Sequence, residues 1–123
     1  LSYDSEEIEW RSRCPISCAL DIIGDRWSLL IVRDLLRFGP RTYSEFRASP
    51  EQISTNILAS RLKLLAGAGI IERVNPEGPS RNNAYQLTAS GQDLRPVVEG
   101  VGRWSTAHLK QHNPAMFDLS KPL

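Results

Sequence analysis

Residues 53–71 read ISTNILASRLKLLAGAGII, in which three small hydrogen-bonding side chains, Ser54, Thr55 and Asn56, open a leucine-rich run. At about 100° per residue, Ile57, Leu58, Leu62, Leu64 and Leu65 fall on one broad arc. Asn56, Ala59, Ser60 and Lys63 fall on the opposite one, with Thr55 at its edge. Near its N-terminus that outward arc is short-chained, neutral and hydrogen-bonding. Such a face can enter a major groove, where Asn pairs bidentately with adenine, and a helix N-terminus offers free N–H groups to phosphate. A solvated helix face with a good cap has the same composition, so the stretch alone leaves both readings open.

Other residues could add nucleic-acid contacts. Arg61 lies near the apolar arc and is as suited to a structural ion pair as to a base. Arg81, in the loop PSRNN between two strand-like runs, can reach a minor groove or neighbouring phosphates, or simply decorate a loop. Arg41 and Arg47 flank a short helix that begins with Tyr43 and Ser44, and these too are candidate contacts or solvated groups.

The second kind of chemistry is a thiol's. Cys14 adjoins the start of a helix at Pro15, and Arg11 and Arg13 are close in sequence. Both features favour thiolate and make Cys14 a candidate redox sensor; the alternative is a small buried hydrophobe. Cys18, one helical turn on, should face away from disulfide geometry while the helix persists. Two cysteines with only His108 and His112 beside them make no four-ligand metal cluster, so no metal or other cofactor is expected. There is no Ser-His-Asp-like spacing and no phosphate-cradling glycine loop, which argues against an enzyme.

Six elements must position these residues. PISCALDII, Pro15 to Ile23, fits a helix with proline in its first turn, Gly24 at its end and an apolar face of Ile16, Ala19, Leu20 and Ile23. RWSLLIVRDLLRFG carries Trp27, Leu30, Ile31, Leu35 and Phe38 at helical spacing and stops at Gly39-Pro40, which predicts a central helix. Thr42 and Glu45 have capping-box spacing at the head of a short helix to about Ala48. A turn follows with Ser49 as a cap beside Pro50, and then Ser54 caps the helix to Gly67. IIERV and AYQLT alternate as a hairpin around NPEGPSRNN. Thr88 caps a last helix, over about 89–112, whose stripe of Leu94, Val97, Val98, Val101 and Trp104 is core or a surface for a second subunit. Trp10 and the first helix are expected to join that surface. Pro96 should kink the helix or confine regular pairing to the part beyond it, and the tail from Asn113 should be irregular.

Composition bounds the reading. A chain of 123 residues with 41% hydrophobic and 24% charged residues is sized for one domain, 1–123. The net charge is only +1, but residues 26–83 carry nine basic side chains against five acids, and residues 1–25 carry six acids against Arg11 and Arg13. No stretch approaches the roughly 18 apolar residues of a membrane span, and the first residues are acidic, so a cytoplasmic protein is expected. The chain begins at Leu1 rather than Met and is expected to be a trimmed piece of a longer protein.

The order of helices, tight turn, helix and hairpin is that of a winged helix-turn-helix, mainly α with a small β-hairpin. CPISCALDIIGDRWSLLIVRDLLRFGPRTYSEF, ISTNILASRLKLLAGAGIIER and AYQLTASGQDLRPVV together resemble the HxlR family of winged-helix transcriptional regulators over about residues 14–104. The resemblance implies a homodimer joined through its N- and C-terminal helices that binds a palindromic double-stranded DNA operator. It makes residues 54 to about 67 the recognition helix and residues 75–83 the wing. It also makes Cys14 the position at which some members sense oxidants or electrophiles; Cys18 is outside that pattern. Two other readings remain: a winged-helix module that binds protein, and a small thiol redox protein.

Overall fold

The computed structural model describes residues 8–79 and 83–121. Helix α1, Pro15–Ile23, starts where Cys14 is extended (φ −68°, ψ 125°) and Pro15 needs no N–H partner. Gly24 closes it: a Cβ there would lie 2.3 Å from the Leu20 carbonyl oxygen, a position only glycine can occupy. The expected apolar face is corrected. Ile16 and Leu20 are exposed, and Ile22 is the buried residue. The core beneath α1 is already filled by α2 and the later helices, so α1 seats on Ile22 and Ile23 and leaves its other apolar side open.

Helix α2, Ser28–Phe38, is central as expected, with Ile31, Val32 and Leu35 buried. Its cap is Asp25, whose carboxylate accepts from the Trp27 and Ser28 amides at 2.9 and 3.0 Å and from the Ser28 hydroxyl. Phe38 leaves the expected stripe: it is exposed and carries the Arg37 and Arg41 guanidiniums over its ring at 5.2 and 4.2 Å. Helix α3, Tyr43–Arg47, has the capping box complete, with Thr42 Oγ1 accepting from Glu45 N and Glu45 Oε1 accepting from Thr42 N. Ser49 is not a cap, because no helix begins there. Its hydroxyl donates instead to the buried Asp34 carboxylate, and Gln52 turns the chain with φ +59°.

Helix α4, Thr55–Gly67, begins with Ser54 Oγ accepting the Ile57 amide at 3.3 Å. Leu58, Leu62, Leu64 and Leu65 are buried against α2 and Phe46 in the core. Gly69 (φ +78°) turns the chain into β1, Ile71–Arg73, which pairs antiparallel with β2, Tyr85–Leu87, in the register Ile71 to Leu87. Arg41 adds an unexpected third segment, exchanging both backbone hydrogen bonds with Tyr85 at 3.0 and 2.8 Å.

The single helix expected over 89–112 is two helices and a turn: α5, Ala89–Gln92; α6, Arg95–His108; and a 3-10 turn, Lys110–His112. Pro96 has no N–H and its ring crowds the carbonyl four residues back, so the chain breaks at Asp93 and restarts with proline in the first turn of α6. Thr88 caps α5 as expected, accepting from Gly91 N at 3.2 Å. No residue of α6 is buried. Beyond Asn113 the irregular tail folds back along α6, where Thr106 Oγ1 accepts the Leu119 amide at 3.0 Å.

Candidate nucleic-acid interface

The outer face of α4 follows from what the leucines do. With Leu58, Leu62 and Leu65 fully buried, helical geometry turns Thr55, Asn56, Ala59, Ser60 and Lys63 outward, and all five are exposed. Ile57 joins them at 39% exposure, although its arc pointed it inward. The first turn lies at the helix end and its buried side is occupied by Leu58, so Ile57 finds no room in the core. The face carries no acid, and its dipole is positive at Ser54.

The arginines divide. Arg61 turns inward and its Nη1 pairs with Asp25 Oδ1 at 3.5 Å, while Nη2 donates to Ser60 Oγ at 3.3 Å. Arg41 stacks on Phe38, donates from Nη1 to the Glu45 carbonyl at 2.6 Å and keeps a buried Nε without a hydrogen-bond partner. Its guanidinium is committed to closing α3 rather than held toward solvent. Tyr43 is half-buried, and that burial, with Tyr85 alongside, pushes its phenol up. Ser44 and Arg47 are exposed, and Ser44 Oγ lies 3.2 Å from Thr42 Oγ1. Arg81 lies outside the described residues.

The root of the wing is braced by residues that sequence spacing did not single out. Arg73 donates to the Pro76 and Gly78 carbonyls at 3.4 and 3.0 Å. Asn83 accepts the Asn75 amide with Oδ1 and donates back through Nδ2 to its carbonyl, continuing the ladder with a side chain. The turn between α3 and α4 is held by a network that was also missed. Arg33 donates to Glu51 through two bonds of 2.9 Å and to Asp34 at 2.9 Å, and Asp34 takes the Ser49 hydroxyl. An acid, Asp34, inside the apolar run LLIVRDLL is the sequence signal that points to it.

Cys14 is exposed and free, at the N-cap of α1. The Ser17 and Ile16 amides hold its thiol below the ordinary value. The expected help from Arg11 is corrected: Arg11 is ion-paired with Asp21, whose carboxylate takes its charge and its backbone N–H. Cys18 is half-buried, its thiol 3.5 Å from the Ser12 carbonyl oxygen. Among the candidate contact residues for a second copy, Trp10, Val101 and Trp104 are exposed, together with Ile16, Leu20 and Val97. Leu94 and Val98 pack against the chain's own core.

A family model described as HxlR-like helix-turn-helix matches residues 22–113, the span that holds the helix-turn-helix and the hairpin after it. The chain belongs to the HxlR-like family. The HTH-type transcriptional regulator YvaP of Bacillus subtilis is 39% identical over 95 residues, spanning 76% of this chain and 86% of YvaP. The crystal structure of PA1607 matches with a TM-score of 0.75 and 32% identity, covering 92% of this chain and 81% of that one. The redox regulator HypR in its oxidized form matches with a TM-score of 0.68 and 27% identity, covering 77% and 97%. This HxlR-like chain is a winged-helix transcriptional regulator, and its relatives are regulators rather than enzymes. Among the described residues no helix is long and apolar enough to cross a membrane, and no three His, Cys, Asp or Glu side chains cluster as metal ligands.

Proposed function

We propose that the protein is a cytoplasmic homodimer that binds a palindromic operator, with α4 in the major groove and the 75–83 loop near the minor groove. The observation that carries this reading is the outer face of α4, where Thr55, Asn56, Ser60 and Lys63 stand exposed and acid-free on a leucine-anchored helix. Thr55, Asn56 and Ser60 read base edges, Ser54 approaches phosphate at the positive helix end, and Lys63 adds charge. Exposed Trp10, Ile16, Leu20, Val101 and Trp104 form the surface that a second copy covers, which sets two α4 helices on successive half-sites.

The test is selection of bound fragments from randomised duplex DNA, followed by titration against the selected site and a scrambled competitor. Asn56→Ala should lose about 1–3 kcal/mol of discrimination between them. Lys63→Ala should reduce the salt slope by about one without changing the ratio. Equal binding of wild type to both duplexes would refute sequence-specific reading, and no binding at any salt concentration would favour the protein-binding module.

The state of Cys14 favours a thiol switch on this regulator. Its exposed, depressed thiol is suited to a small electrophile or oxidant, and the related HypR is a redox regulator. Oxidant should release wild type from its operator and leave Cys14→Ser bound; equal release of both would remove Cys14 from the switch.

A further inference from the structure

Arg61 lies beside the exposed face of α4, yet its charge is paired within the protein. Asp25 is the reason. Its Oδ2 accepts the Trp27 and Ser28 amides at 2.9 and 3.0 Å, and its Oδ1 takes the Ser28 hydroxyl. Ser28 is fully buried, so the carboxylate is fixed to the head of α2. Oδ1 also lies 3.5 Å from Arg61 Nη1, which ties the loop between α1 and α2 to α4 across 36 residues. The other guanidinium nitrogen, Nη2, donates to Ser60 Oγ at 3.3 Å. Both partners of the ion pair are about a quarter exposed, at 26% and 25%, so the link lies beside the outer face and not deep beneath it.

A serine hydroxyl has one proton and two lone pairs, whereas a guanidinium only donates. When Arg61 donates to Ser60 Oγ, one lone pair is used and the Ser60 proton is left for an acceptor outside. The acceptors a major groove offers are guanine N7 and O6, adenine N7 and thymine O4. Without Asp25, the long Arg61 side chain would be free to extend toward solvent or phosphate, and Ser60 would regain the lone pair that Arg61 occupies and lose the bond that turns its proton outward.

We infer that Asp25 is a positioning residue for base selection: by holding Arg61 against Ser60, it makes Ser60 meet the operator as a hydrogen-bond donor. The inference rests on α4 being the helix that reads DNA. Burial lifts the Asp25 carboxyl, but the bonds from Ser28 and Trp27 and the charge of Arg61 outweigh it and keep the group ionised at neutral pH.

The experiment is duplex selection with the full chain, comparing wild type, Ser60→Ala, Arg61→Met, Asp25→Asn and the double variant Asp25→Asn/Arg61→Met. Ser60→Ala should relax the preference at one operator position and its symmetry mate by about tenfold, the size of one lost base contact. Arg61→Met and Asp25→Asn should change the preference at that same position, and the double variant should change it no further. A role confined to stability would weaken all duplexes alike and leave every position's preference unchanged. Arg61→Met leaves the Asp25 cap of α2 intact, so it decides the matter if Asp25→Asn does not fold. A preference changed elsewhere, left unchanged in Arg61→Met or in Ser60→Ala, or changed additively in the double variant overturns the inference. A wild type that selects no sequence overturns the reading of α4 itself.

Discussion

Asp34→Ala tests how the angle between α3 and α4 is held. Asp34 is 4% exposed, accepts from Arg33 Nε at 2.9 Å and takes the hydroxyl of Ser49 in the helix-turn-helix turn. Truncating one partner of a buried charged pair costs about 3–5 kcal/mol when the other is left unpaired. Here Arg33 is 22% exposed and keeps its two bonds to Glu51, so its loss is softened. Two charge-assisted hydrogen bonds still go, and the Ser49 hydroxyl is orphaned, which sets the cost at about 2–3 kcal/mol. For a chain of this size that corresponds to about 8–12 °C in Tm. Thermal and urea unfolding followed by circular dichroism would measure it. Asp34→Asn retains the shape and an acceptor for Ser49, and should cost about 1 kcal/mol. Amide exchange should rise in the 49–58 segment before it rises in α1, because the loosened turn is the one that Gln52 forms with φ +59°. A loss below about 0.5 kcal/mol in Asp34→Ala would refute the claim that this network holds the turn.

Gly91→Ala should destabilise by about 1–3 kcal/mol, since its Cβ would lie 2.2 Å from the Ile70 carbonyl oxygen and 2.8 Å from Leu87 Cδ2. Gly100→Ala, whose Cβ would meet nothing nearer than Arg103 Nη2 at 4.0 Å, should instead stabilise α6 by about 0.5–1 kcal/mol; urea midpoints of the two variants moving the same way would contradict this. Limited alkylation at neutral pH, mapped by peptide mass, should label Cys14 before Cys18, because amide bonds favour the exposed Cys14 thiolate while Cys18 is half-buried; the reverse order would refute it. Stability should fall as pH drops below about 5, because the folded pKa values of Asp21 (amide and side chain of Arg11), Glu45 (amide of Thr42), Glu51 (Arg33) and Asp25 are depressed. The unfolded chain then takes up protons first, so the stabilisation held above the unfolded values is lost on acidification; a urea midpoint unchanged from pH 6 to pH 3 would contradict it.

The caps and boundaries were legible because they are local. Pro15 at the head of α1, the Thr42 and Glu45 box, Ser54 before α4 and Thr88 before α5 each act within about three residues, and spacing alone reports them. The leucine arc of α4 was legible for the same reason, since a helix repeats its faces regularly, and Ile57 departs from it only because the first turn is not covered.

What spacing cannot carry is the partner of a long polar side chain. Arg61 and Asp25 are 36 residues apart and Arg33 and Glu51 18, so each pairing exists only once the helices have packed, and the same holds for the backbone bridge between Arg41 and Tyr85. The periodicity of α1 likewise shows that Ile16 and Leu20 are apolar, but only the packed core decides that Ile22 takes the inward place and leaves them exposed. The sequence by itself determined the elements, their caps and the polar face of α4, because those depend on neighbours along the chain. Tertiary structure alone decided which arginines are spent on carboxylates, and so which side chains of that face are left to meet a partner.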